Sequence, residues 1–331
     1  MRRSSPTSDG HDYVNLPMEG AARNGVVDGP RKGRRILIFR HGERIDFTFN
    51  FGGQHWVDKA FDQTGKYTRF NINMPKSVPQ RREGHKGFMG DTPLTEMGYL
   101  QAKLTGRALR DAGVRPDHVY VSPSLRCLQT CNGILKGLAG GSSATAVDGP
   151  SSHQVKISSL RYGIESGLFE WGTWLRGHAN RPQWFDPRDV QALGYPVNAA
   201  YKPLYAPESI SSAETLPEYY DRSFSLVKEL LKRHPEDCTI LLVGHGSSLD
   251  ACSRQLCGKP VRDTNDFYNI LHHTGYLSCC QVSEIVSNTP NEASKFALTQ
   301  PPVLPLQHQN NLAYEWRALT VDGLADFRSD D

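Results

Sequence analysis

Two apolar runs about 200 residues apart, Ile36-Leu37-Ile38-Phe39 and Ile240-Leu241-Leu242-Val243, constrain the fold most. Each runs out into a short loop that carries a histidine, Arg40-His41-Gly42-Glu43-Arg44 in the first case and Gly244-His245-Gly246 in the second. Short, uniformly apolar runs of this kind read as strands buried on both faces of a parallel sheet. In open α/β sheets the loops at the carboxyl ends of the strands converge on one crevice, where ligands bind. Two histidines and two arginines brought to such a crevice describe a phosphate site.

Around these runs, strand and helix patterns alternate. The sequence predicts a first strand over 35–39 and then a long segment, 47–91, rich in aromatics and with basic residues clustered around Arg81, expected as an insertion over the site. Thr95 is placed to cap a helix to about Ala112, with Leu100, Leu104 and Leu109 among its apolar positions and Gly113 as its stop. A second strand is expected over 117–121. Ser122-Pro123-Ser124-Leu125-Arg126 then opens a helix that turns Leu128, Ile134, Leu135 and Leu138 to the core and ends near Gly140. A short strand at 155–159, a helix over 216–234, a strand over 239–243 and a helix over 247–256 complete the expectation. This alternation argues an α/β protein, a three-layer αβα sandwich with a mostly parallel central sheet. Residues 1–33 are rich in Gly, Ser, Pro, Asn and charge and are expected as a disordered arm, with Ser4, Ser5 and Tyr13 as modifiable positions. Residues 34–331 are expected as the catalytic domain.

Composition narrows the class further. Of 331 residues, 38% are hydrophobic and 22% charged, which suits a globular protein with a sizeable core. Nothing approaches the roughly 18 consecutive apolar residues needed to span a bilayer, and the N-terminus lacks a signal-peptide core. A soluble, cytoplasmic protein with no membrane partner is therefore expected. Seven cysteines without a C-x-x-C pair suit a reducing compartment. A formal net charge of +3 is too small to imply nucleic acid.

The residue types explain the chemistry. A catalyst of phosphoryl transfer must neutralise the equatorial oxygens and align attacker with leaving group. Guanidinium forks do the first bidentately, and Arg40 and Arg44 flank His41 on one tight loop. Neighbouring arginines disfavour imidazolium, so they keep His41 neutral and nucleophilic. Gly42 permits close backbone approach. His245 faces His41 as a phosphate ligand that donates a hydrogen bond, and Arg126 sits at a helix start, where free backbone donors also favour anions. An alcohol leaving phosphate needs a proton. Glu170, set among Leu168, Phe169, Trp171 and Trp174, is one candidate, because an apolar setting raises a carboxyl pKa. Glu165, Glu43, Asp91 and Glu214 compete with it on composition alone. Phe47, Phe49, Phe51, Trp56, Tyr67, Trp171 and Trp174 are candidates for lining an apolar substrate pocket.

The Arg40–Arg44 loop, the Ser122–Arg126 turn, Gly167-Leu168-Phe169-Glu170-Trp171 and the Gly-His-Gly-Ser-Ser after the last long strand resemble the histidine phosphatase, or phosphoglycerate-mutase-like, superfamily. Asn71-Ile72-Asn73-Met74-Pro75, Pro79-Gln80-Arg81 and Pro301-Pro302-Val303-Leu304-Pro305-Leu306 narrow the resemblance to the Sts/TULA type of phosphatase domain, from about Arg35 to Trp316. It implies His41 as the phosphorylated nucleophile and Arg40, Arg44, Arg126 and His245 as the residues that hold the phosphate. It also selects Glu170 as the proton donor. No metal or other cofactor is implied.

Sts proteins carry ubiquitin-associated and SH3 domains ahead of the phosphatase, whereas about 33 residues precede this domain. A stand-alone domain of this kind resembles the insect ecdysteroid-phosphate phosphatases, so the implied substrate is a steroid phosphate, a bulky small-molecule ester. The alternatives are a protein tyrosine phosphatase of Sts/TULA type and an inactive module that only binds phosphorylated partners. Sts relatives also suggest a homodimer. The Sts pattern has Ala rather than Gly around the later histidine, a departure expected to change loop flexibility and not the chemistry.

Overall fold

The computed structural model describes residues 33–50, 52–140, 159–176, 183–286, 295–306 and 316–322. Residues 1–32 of the expected N-terminal arm, residues 155–158 of the expected short strand, and Phe51 lie outside them.

The run at Ile36 forms β1 (Arg35–Arg40), and the run at Ile240 forms β4 (Thr239–Gly244). They pair in parallel, Ile36 opposite Ile240 and Arg40 opposite Gly244, which puts the two histidine loops side by side. β2 (His118–Val121) pairs in parallel with the other side of β4, and β3 (Gly163–Ile164) with β2. On the opposite flank β5 (Cys279–Ile285) runs antiparallel to β1, and β6 (Lys295–Thr299) antiparallel to β5. The order β3-β2-β4-β1-β5-β6 is a mostly parallel sheet with an antiparallel edge.

Alternation along the strands divides the core in two. Leu37, Phe39, Val119, Val121, Leu241 and Val243 face α3 (Glu96–Asp111) and α4 (Leu125–Ala139). Ile36, Ile38, Tyr120, Ile240 and Leu242 face α6 (Leu216–Arg233), α7 (Gly246–Ala251) and α8 (Thr264–His273). Helices on both faces give the expected three-layer sandwich. The short α5 (Pro187–Ala192) precedes α6 in the chain.

α3 and α4 pack backbone to backbone. A Cβ on Gly106 would stand 2.1 Å from the Ile134 carbonyl oxygen, and one on Gly137 would stand 2.2 Å from that of Lys103. The close face of α3 is therefore small and polar, with Gly98, Gln101, Ala102, Thr105 and Gly106 buried. Leu109 is buried as expected, but Leu100 and Leu104 are exposed. The helix expected over 247–256 regularises only as far as Ala251.

The segment 47–91 forms a small lobe. α1 (Ile45–Phe49), α2 (Trp56–Ala60) and a 3-10 turn at His85–Met89 bury Ile45, Trp56, Val57, Ala60, Met74 and Phe88 against Leu125 at the start of α4. Arg81 is buried within it. Its guanidinium pairs with Asp91, donates to the Gln183 carbonyl at 2.9 Å and stacks on Phe88 and Phe185. Asp91 in turn accepts the Leu125 N–H at 2.8 Å, so this pair ties the lobe to the first turn of α4.

Candidate active site

β1 ends at Arg40, and the next residues turn away under two constraints. The His41 N–H donates to the Gly244 carbonyl, and the Gly42 N–H donates to Thr130 Oγ1 at 2.9 Å. The close approach that Gly42 permits is to α3: a Cβ on Gly42 would lie 2.8 Å from the Gly98 oxygen, and one on Gly98 would lie 2.5 Å from that of Glu43. His41 and His245 are both buried, their ring centroids 5.6 Å apart in an edge arrangement.

The His41 Nδ1 lies 2.8 Å from the Gly42 carbonyl oxygen. A carbonyl only accepts, so Nδ1 carries the proton and Nε2 presents its lone pair. Burial, and after it the guanidinium groups of Arg126 and Arg40, hold this imidazole far below the usual histidine range. In His245, Arg126 Nη2 donates to Nδ1 at 3.2 Å and Nε2 lies 2.8 Å from Ser122 Oγ. Burial brings this ring down to about 3, so it too is neutral at pH 7.

Three guanidinium groups converge here, each anchored on one edge. Arg44 grips Asp46 through Nε at 2.7 Å and Nη2 at 2.6 Å, which leaves Nη1 outside that pair. Arg40 donates Nη1 to the Thr274 carbonyl, and its Nε is buried without a partner. Arg126, almost fully buried at the start of α4, donates Nη2 to Glu170 at 2.5 Å and likewise has an unpartnered Nε. Two orphaned guanidinium N–H groups beside a neutral nucleophile mark a seat for an anion.

Glu170 corrects the expectation drawn from its apolar neighbours. Burial does push its carboxyl up, but the guanidinium charges of Arg126, Arg44 and Arg40 outweigh burial and hold it well below the usual carboxylate range. In the free site it is therefore a carboxylate resting on Arg126. The competing carboxylates are used elsewhere. Glu165 accepts from Gly167, Leu204, Tyr205 and the Tyr201 hydroxyl; Glu214 pairs with Arg222 and Gly172; Glu43 accepts from Thr95 and Asn73. Asp91 is the lobe anchor.

The expected pocket aromatics are not brought together. Trp56 is buried in the lobe core, with Phe49 and Tyr67 packed against that core, because such a small lobe needs its own hydrophobic centre. Trp171 packs on Phe267 and donates to the Glu214 carbonyl at 2.8 Å, and the partly exposed Trp174 leans on it. Phe47 is 67% exposed and lies 4.2 Å over the Arg44 guanidinium. A cleft of about 590 Å³ is lined by none of these aromatics but by residues such as Pro123, Leu175, Trp184, Phe185, Tyr201 and Ile210, and none of the six site residues lines it. Sequence reasoning also missed Tyr276, whose ring lies 4.6 Å under the Arg40 guanidinium and 5.8 Å from the His41 ring. No local signal marked it, because β5 does not stand out in the sequence and the Arg40 partner lies far away in the chain.

Comparison with known proteins follows the same lines. The family described as the histidine phosphatase superfamily (branch 1) matches residues 78–146 and 191–283. The mouse ubiquitin-associated and SH3 domain-containing protein B is 37% identical over 290 residues, 87% of this chain and 41% of the relative. The ecdysteroid-phosphate phosphatase of Drosophila melanogaster is 35% identical over 313 residues, 94% of this chain and 38% of the relative. The crystal structure of the Bombyx mori ecdysone phosphate phosphatase in complex with tungstate superposes with a TM-score of 0.66 at 27% identity, covering 86% of this chain and 99% of that one. The chain spans about two fifths of the length of these curated relatives, insect and mammalian alike. Their lengths thus give no support to the expectation that a stand-alone domain marks the insect type.

Proposed function

The chain belongs to the histidine phosphatase superfamily, and on that premise we propose that it hydrolyses phosphate monoesters through a phosphohistidine on His41. The observation that carries this reading is the neutral His41 with Nε2 unprotonated, set beside guanidinium N–H groups that lack an acceptor. Nε2 attacks phosphorus while Arg40, Arg44 and Arg126 balance the charge on the equatorial oxygens. His245 joins them by a proton shift. When the Ser122 hydroxyl donates to Nε2, Nδ1 carries the proton and points its N–H at the phosphate.

The same anion arms the acid. A dianionic phosphate neutralises the cations that keep Glu170 ionised and displaces it from Arg126, so its pKa rises towards the value that burial alone would set. Glu170 then takes up a proton and delivers it to the departing alcohol, and in the second step, as carboxylate, it accepts a proton from the water that cleaves the N–P bond.

For substrate we propose an ecdysteroid phosphate, supported by the two insect relatives, at 35% and 30% identity. The exposed Phe47 ring over Arg44 offers a steroid apolar surface next to the phosphate seat. The similar identity to the ubiquitin-associated and SH3 domain-containing relatives favours a second reading, a phosphotyrosine phosphatase. We place the enzyme in the cytoplasm as a homodimer. Among the described residues no helix is long and apolar enough to cross a membrane. Sedimentation tests the dimer, and cell fractionation tests the location.

The deciding experiment compares kcat/KM for an ecdysteroid phosphate, a phosphotyrosine peptide and 3-phosphoglycerate, with His41→Ala as blank. A steroid preference of about tenfold, or 1.4 kcal/mol, supports a hormone-releasing enzyme. Preference for the peptide supports the signalling alternative. If wild type turns over none of these nor p-nitrophenyl phosphate, the chain is a binding module.

A further inference from the structure

The turn between α8 and β5, Thr274-Gly275-Tyr276-Leu277-Ser278, touches the nucleophile loop at four points. The Arg40 N–H donates to the Ser278 carbonyl at 3.0 Å, and the Leu277 N–H donates to the His41 carbonyl at 3.3 Å. Arg40 Nη1 reaches the Thr274 carbonyl, and the Arg40 guanidinium lies over the Tyr276 ring. Leu277 adopts φ of 59°, the left-handed region that a branched side chain rarely enters. Backbone held in that region is paid for by surrounding contacts and clusters where geometry serves function. Here it lets consecutive residues face two ways, the Leu277 side chain buried in the core and the Tyr276 ring against Arg40 and His41.

We propose that Tyr276 is a positioning residue for phosphate binding. Its ring face fixes the plane of the Arg40 guanidinium so that the edge left free by Thr274 meets the anion. Thr274 alone leaves that plane free to turn about a single hydrogen bond, and the ring removes the freedom. The role belongs to the ring face and not to the hydroxyl, which burial keeps protonated. It rests on the reading of this site as a phosphatase centre.

The test measures the inhibition constant of tungstate and kcat/KM for p-nitrophenyl phosphate in wild type, Tyr276→Phe, Tyr276→Leu, Arg40→Lys and the Leu/Lys double variant. Cation–π contacts at partly desolvated sites correspond to roughly 3- to 30-fold in affinity. Tyr276→Leu should weaken tungstate by a factor in that range, chiefly as a higher KM for substrate, and Tyr276→Phe should restore wild-type affinity within about twofold. On an Arg40→Lys background the leucine substitution should change tungstate affinity less than twofold, because the partner that it positions has gone; a merely structural loss would persist there. If Phe is as weak as Leu, or if the two substitutions are additive, the proposal is overturned while the phosphatase reading stands. A wild type that neither hydrolyses the ester nor binds tungstate removes both.

Discussion

Replacing Glu170 by Gln should tighten oxyanion binding while it slows turnover. In the free site the carboxylate is an internal ligand of Arg126, at 2.5 Å, with the arginine side chain 2% exposed and the glutamate 20%. So little exposure removes the pair from the class of surface salt bridges worth almost nothing. A hydrogen bond to a charged group contributes about 1.5–3 kcal/mol net, and an incoming anion must displace it. At about 1.4 kcal/mol per decade, its removal should lower the tungstate inhibition constant by roughly 10- to 100-fold, towards the lower figure because glutamine can still accept from Arg126. Turnover should move the other way. In kcat/KM, which reports phosphoryl transfer to His41 and not the later water step that Glu170 also serves, loss of a general acid costs ~10²- to 10⁴-fold for an alkyl phosphate, but ~10-fold or less for p-nitrophenyl phosphate, whose phenolate leaves unaided. Inhibition titration and steady-state rates on one alkyl and one aryl ester suffice. Unchanged or weaker tungstate binding would refute the internal-ligand argument, and equal losses on both esters would refute the proton-donor role.

Other outcomes follow from the same geometry. His245 is buried with its pKa depressed to about 3, so the unfolded chain takes up a proton near pH 6.5 that the folded one refuses. Stability should therefore fall as pH drops below 6.5, by about 2 kcal/mol from this residue between pH 7 and 5; denaturant titrations should show a shallower fall in His245→Gln. Gly137→Ala would set a methyl 2.2 Å from the Lys103 carbonyl oxygen and force α3 and α4 apart, at a cost of about 1–3 kcal/mol or more in thermal or chemical unfolding. Arg81→Met should destabilise by about 3–5 kcal/mol, because it strands Asp91 in the interior. Tungstate affinity measured on its folded fraction should stay within about threefold, which separates Arg81 from the arginines of the site.

Legibility in the sequence followed locality. β1 and β4 are uniformly apolar because both are flanked by strands on each side and covered on both faces, and that pattern survives without context. β5 reads Cys-Cys-Gln-Val-Ser-Glu-Ile and β6 lies half-exposed at the edge, so neither announces itself, and β3 has only two residues. His41, Arg40 and Arg44 were legible because one short loop holds all three. The charge of Glu170 was not, because cations from β1, its loop and α4 set it against the local apolar pattern. Trp56, Phe49 and Tyr67 misled because aromatic content looks the same in a lobe core as in a pocket. Tyr276 escaped because its partner, Arg40, lies near the other end of the chain.

The most direct test of the central claim is to quench the enzyme in alkali during turnover of an aryl phosphate and locate the transferred phosphate by peptide mass spectrometry. The geometry predicts a phosphoryl group on His41, attached at Nε2 because Nδ1 is committed to the Gly42 carbonyl, and none in the His41→Ala protein. Phosphate found on another residue, or undiminished turnover by His41→Ala, would contradict it.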